Sequence, residues 1–151
     1  MKCAMTKKIN FDFESPDENL GYLLWQTTML WQRKMNRALD EVNLTHTQFV
    51  ILIALAWLSR SSENVTQKEI ADHSNTDRMM VSKILRTLQK NGLIERKEHK
   101  TDTRAKCVFL TVKGGEILQK AIQIKTNANE LFFKNIYDKH QFSMALREII
   151  E

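Results

Sequence analysis

A chain of 151 residues with 42% apolar content is long enough for one domain with its own core, and only four Gly and one Pro exclude a loop-rich or collagen-like fold. Its two cysteines have no CxxC spacing and form no framework of four or six, which excludes a secreted disulfide scaffold. The net charge of +5 resides in residues 66–113, eleven Lys and Arg against six Asp and Glu, while the rest balances twelve against twelve; a neutral scaffold bearing one basic segment is the footprint of a phosphate-binding surface.

The amino terminus, MKCAMTKKIN, is basic like the start of a secretory signal, but FDFESPDENL follows where an apolar run would have to be. The longest apolar run, FVILIALAWL at 49–58, is about half of a bilayer span. A cytoplasmic protein with no membrane partner is expected. SPDE at 15–18 then marks a helix start, with Ser15 as N-cap, Pro16 at the first helical position and Glu18 at N3. The helix predicted over roughly 16–42 is apolar on more than one face. Leu20, Leu24, Trp31, Met35 and Ala38 form one stripe at 100° per residue, and Tyr22, Trp25 and Met29 form another.

THTQ at 45–48 and TQKE at 66–69 repeat the capping-box pattern and predict two further helix starts. Residues 66–91 read as helix, turn, helix. Ile70 and the small Ala71 lie inside the first helix, and Asn75 falls where the turn needs a residue tolerant of positive φ. Val81, Ile84, Leu85 and Leu88 give the second helix its buried stripe. The opposite face carries Thr76, Met79, Lys83, Arg86 and Lys90, with Met80, Ser82 and Thr87 at its margins, a set suited to a DNA major groove. A solvated surface explains any one of these lysines as well; the capped helix before them and the hairpin after them favour DNA.

Gly92 closes that helix, with Leu93 placed for the usual apolar contact. Two strand-like runs, IERK and AKCVFLT, then flank a charged tip, EHKTDTR, and Val108 and Leu110 are expected to face the core. The tip has no apolar residue and reads as a wing reaching outward. EILQKAIQIKTNANELFFKNIY and QFSMALREII complete the chain as two helices whose apolar positions follow the helical period. Packing against a second chain in an isologous twofold dimer is the economical way to cover them and the first helix, the alternative being a plain monomeric bundle. No HxxxH, Gly-rich phosphate loop or Gly-x-Ser-x-Gly elbow occurs, so no metal, cofactor or enzymatic activity is expected.

These motifs resemble the MarR family of bacterial transcription regulators. TQKEIADHSNTDRMMVSKILRTLQKNGLIER resembles the family helix-turn-helix with its GLI ending, and TDTRAKCVFLTVKGGEIL resembles its D-x-R wing followed by LT-x-x-G. The resemblance implies a mainly α fold with a small β wing: an amino-terminal segment and dimerisation helix over 1–44, a winged helix-turn-helix over 45–113, and dimerisation helices over 114–151. It implies a homodimer on a pseudo-palindromic operator in double-stranded DNA, acting as a repressor relieved by a small molecule or another signal. The alternative is a winged helix serving as a protein-interaction module without DNA. The DNA-facing set comprises Thr66, Gln67, Thr76, Arg78, Met79, Met80, Ser82, Lys83, Arg86, Lys100, Asp102 and Arg104. Within it, Arg104 matches the wing arginine that enters the minor groove, and Asp102 the aspartate that braces it.

Three features depart from the family pattern. Met79 and Met80 stand where Ser and Thr are common, Phe109 is large for the outer face of a wing strand, and the first helix lacks the peroxide-sensing cysteine of one subgroup. Cys3 and Cys107 are expected to be structural or incidental. Family members also bind small aromatic anions beside their first two helices, which makes Tyr22, Trp25, Met29, His46 and Trp57 the effector candidates, although core packing uses the same residue types.

Overall fold

The structure is a computed structural model, and it describes residues 10, 12–98 and 106–150. The chain divides into two compact units, Met1–Arg33 and Lys34–Glu151. Met35 and Leu39 near the end of the first helix are fully buried, and Leu39 joins the core of the second unit.

In the first unit the Ser15 hydroxyl accepts from the Asp17 amide, but only a 3₁₀ turn forms, Pro16–Glu18. The Glu18 carboxylate accepts from Glu14 N and completes no capping box. Helix α1, Leu20–Leu39, starts four residues later than expected, because Asn19 is extended (φ −92°, ψ 110°) and its Oδ1 accepts from Tyr22 N at 2.9 Å. Asparagine is itself a strong N-cap, and here it takes the role that the Ser-Pro pair announces. A second 3₁₀ turn, Asp40–Val42, follows α1 and ends at Asn43 with φ 55°.

The second unit is organised around α2, His46–Leu58. Its capping box is complete: Thr45 Oγ1 accepts from Gln48 N at 3.2 Å and Gln48 Oε1 accepts from Thr45 N at 2.9 Å. Phe49, Ile51, Leu52, Ala54 and Leu55 are buried, so this helix is apolar around most of its girth because its neighbours cover it. Helix α3, Gln67–His73, opens on the equivalent box at Thr66 and Glu69, and α4, Arg78–Lys90, follows after a turn in which Asn75 adopts φ 48°. Ile70, Ala71, Val81, Leu85 and Leu88 are buried against α2, and Ile84 is half-buried.

Helix α4 ends in a Schellman motif. Gly92, at φ 73°, donates to Gln89 O, and Leu93 donates to Leu88 O. Strand β1, Ile94–Glu98, leaves at once and pairs antiparallel with β2, Lys106–Leu110, in the register Ile94 with Leu110 and Arg96 with Val108. Val108 N also donates to Val65 O at 2.8 Å, and Thr66 bridges to Cys107, so β2 has partners on both edges. That second partner is why Cys107 is buried alongside Val108, where strict alternation would expose one of them. The strand stops at Leu110, short of the expected Thr111, whose hydroxyl instead caps α5, Val112–Phe132. Helix α6, Lys139–Ile150, completes the chain and has no buried residue. Among the described residues no single helix is long and apolar enough to cross a membrane.

Candidate nucleic-acid interface

The surface begins at Asp77, whose Oδ1 accepts from the amides of both Met79 (2.9 Å) and Met80 (3.0 Å) and fixes the first turn of α4. An aspartate directly before an amphipathic run is a recognisable N-cap signal, which the sequence reading passed over. From there Met79, Met80, Lys83, Arg86 and Lys90 all lie exposed, opposite the buried Val81, Leu85 and Leu88. Arg86 folds back on its own helix through weak contacts of 3.4 Å to Ser82 O and Oγ, so little holds it from a partner.

Other members of the expected set are more occupied. Thr66 donates its hydroxyl to Glu69 Oε2 at 2.7 Å, Thr76 donates its own to Ser74 O at 3.1 Å, and Gln67 and Ser82 are half-buried. Arg78 pairs with Asp72 at 3.8 Å across open solvent, a contact of small energy. Lys100, Asp102 and Arg104 lie outside the described residues, as does Cys3.

Three contacts absent from the sequence reading brace the end of α4, one to the wing and two to the start of α5. Arg96 Nε donates to Gln89 Oε1 at 2.6 Å, Lys113 Nζ donates to Asn91 O at 3.0 Å, and Thr111 Oγ1 donates to Gly92 O at 2.7 Å. Pairs this distant in sequence leave no periodic signal. They brace the end of α4 against β1 and the start of α5, so helix and wing are held in one relative orientation. Phe109 also finds its explanation here: Lys97, itself paired with Glu95 at 3.1 Å, places Nζ 5.5 Å from the ring centroid and covers the outer face of the strand.

The effector candidates are divided between the two units. Tyr22, Trp25 and Met29 are exposed along the part of α1 in the first unit. His46 and Trp57 stand at opposite ends of α2, about 16 Å apart along its axis. Trp57 is exposed under the Arg60 guanidinium, 4.6 Å from the ring centroid, and lines a shallow groove with Val50, Ile53, Ala54, His73 and Ser74. His46 is buried, and its amide donates to Asn36 Oδ1 at 2.8 Å, which joins the end of α1 to the start of α2. Burial, and then the positive charge of Lys125, push its imidazole pKa down to about 4. Lys125 stacks over Phe49 at 4.7 Å, and burial lowers its pKa too.

Residues 40–127 match the ArnR1-like winged-helix domain family. A relative from Bacillus subtilis, the uncharacterized HTH-type transcriptional regulator YdcH, is 41% identical over 139 residues, covering 92% of this chain and 95% of its own. Among solved structures, a cysteine-to-serine mutant of MarR from E. coli complexed with operator DNA superposes with a TM-score of 0.79 at 21% identity, over 87% of this chain and 94% of that one. CouR from Rhodococcus jostii RHA1, bound to p-coumaroyl-CoA, superposes with a TM-score of 0.76 at 22% identity, over 91% and 95%. The winged-helix match spans more than half of the chain and the regulator from B. subtilis nearly all of it, while the fold is that of the MarR regulators: this chain belongs to the ArnR1-like winged-helix family of HTH-type transcriptional regulators.

Proposed function

We propose that this protein is a cytoplasmic, sequence-specific DNA-binding regulator that acts as a homodimer on a pseudo-palindromic operator and releases it in response to a small aromatic molecule. The observation that carries the reading is the outward face of α4, where Met79, Lys83, Arg86 and Lys90 stand exposed on a helix braced at both ends. A basic, rigid helix face of this kind fits a major groove. The 45–113 segment is the DNA-binding domain, and Lys100, Asp102 and Arg104 belong to its DNA-contacting set. The DNA-bound form of MarR from E. coli supports this reading, and the p-coumaroyl-CoA complex of CouR supports the aromatic effector.

Dimerisation is supported by what one chain leaves uncovered. Phe142, Met144, Leu146, Ile149 and Ile150 of α6 are exposed, as are Leu20, Leu24 and Trp25 of α1. Apolar surface on this scale marks an interface. Sedimentation of the full chain at micromolar concentration is expected to give a dimer, and a well-behaved monomer would refute that part.

Retention on heparin, followed by a salt titration on random duplex, separates a DNA regulator from a protein-interaction module. A regulator shows steeply salt-dependent binding to any duplex and tighter binding to fragments selected from a genome. A module without DNA contact shows neither.

A further inference from the structure

The exposed tip of α4 has an unusual chemistry for a surface that meets nucleic acid. Met79 is 81% exposed and Met80 is 50% exposed, and both stand in the first turn of the helix, ahead of Lys83 and Arg86. Met79 packs almost none of its side chain within this chain, so it contributes little to the core. It is an apolar prong on an otherwise basic face.

The cap beneath it decides which part of DNA that prong can meet. A helix N-terminus ordinarily attracts phosphate through free backbone N–H groups and the positive end of the helix dipole. Here Asp77 has already taken the amides of Met79 and Met80. Its carboxylate offsets the dipole and repels a phosphate brought to the same place. The tip is therefore poorly suited to the sugar-phosphate backbone, which is left to the cations further along the same face. A thioether side chain directed between the phosphate walls arrives at the base edges, and the one apolar group displayed on the major-groove floor is the C5-methyl of thymine. The flexible, polarizable methionine side chain adapts well to such a contact.

We infer that Met79, flanked by Met80, reads the 5-methyl group of a thymine in each half-site, so that one position of the operator is selected by its methyl and not by a hydrogen-bonding edge. The inference rests on α4 being the DNA-facing helix. It adds that this helix discriminates thymine from uracil, and 5-methylcytosine from cytosine, at a fixed position.

Operator fragments are first recovered from genomic DNA with the purified full-length protein. Each thymine of a half-site is then replaced in turn by deoxyuridine, which removes only the methyl, and affinity is read by fluorescence anisotropy at one salt concentration. At one position per half-site the loss is expected to be about fourfold, the worth of one buried methyl, and about fifteenfold when both half-sites are changed. With cytosine at that position, 5-methylation should recover a similar factor. Met79→Ala should bring both ratios to about one while leaving thermal unfolding unchanged, and Met79→Leu should keep most of the discrimination. Normal operator binding with no uracil substitution costing more than about 1.5-fold, or full discrimination retained by Met79→Ala, overturns the methyl reading and leaves the DNA-binding reading standing. Failure to bind any duplex at low salt overturns both.

Discussion

A side chain on Gly114 would collide with Leu93: an added Cβ would lie 2.0 Å from the Leu93 carbonyl oxygen and 2.9 Å from its carbonyl carbon. That oxygen also accepts from Thr111 N at 3.1 Å, while Thr111 Oγ1 accepts from Gly114 N and donates to Gly92 O. The LT-x-x-G motif is thus a knot between the end of α4 and the start of α5, and its glycine is required by contact with backbone.

Gly114→Ala is expected to destabilise the protein by about 2 to 4 kcal/mol, because the obstacle is main chain and cannot rotate away. Gly115→Ala is the control. Its Cβ would meet only Leu110 Cδ2 at an ordinary 3.8 Å, and removing a helical glycine should leave stability unchanged or raise it by up to about 1 kcal/mol. Urea unfolding of both variants at equal protein concentration checks the pair, since dimer stability varies with concentration. Equal midpoints would show that the backbone gives way.

Stability should fall below neutral pH because of His46. The unfolded imidazole takes up its proton near 6.5, whereas the native one, buried and facing Lys125, resists until about 4. Above pH 6.5 both states are neutral and nothing is lost. Between 6.5 and about 4 the unfolded chain binds the extra proton, so stability declines as pH falls, by on the order of 3 kcal/mol over the window. Urea midpoints from pH 7.5 to 4.5 for wild type and His46→Gln give the test. The variant should lose this part of the slope, and an NMR titration of His46 with a midpoint near 6.5 would contradict the burial effect.

Lys83→Ala and Arg86→Ala should each weaken operator binding by about 1 to 3 kcal/mol where the contact is to a base edge, and should relax preference at one position per half-site. A loss spread evenly over all sequences would assign that residue to phosphate, with a shallower salt dependence. Unchanged binding in both variants would show that another face of the unit meets DNA.

For the wing, the expectation rests on the family resemblance, since Arg104 lies outside the described residues. An arginine in a minor groove reads groove width and potential, so operators with A·T-rich flanks should bind better and Arg104→Ala should erase the difference. Arg104→Lys should restore part of it, because an ammonium is more strongly hydrated than a guanidinium. With two wings per dimer, the log-log salt slope should shrink by up to about 2 for Arg104→Ala. Anisotropy on matched operators across a salt series measures all three, and identical behaviour of wild type and Arg104→Ala would mean that the hairpin stays in solvent.

Much of this protein is written in local chemistry. Thr45 with Gln48 and Thr66 with Glu69 announced their helices because a capping box is satisfied within four residues, whatever surrounds it. The buried stripe of α4 and its basic opposite face followed from helical period alone, and Asn75 and Gly92 marked two of the three described positions with positive φ, Asn43 being the third. Even so, Ser15 misled, since two caps stood close together and the later one, Asn19, bonded to Tyr22. Only the tertiary structure could decide what distant segments do for one another. It gave β2 a second partner at Val65 and Thr66, which buries Cys107, and it brought Arg96 to Gln89 and Lys113 to Asn91. Those outcomes depend on which surfaces meet once the apolar stripes are buried, and hydrogen bonds and close approaches between residues far apart in the chain leave no periodicity or spacing by which a sequence could display them.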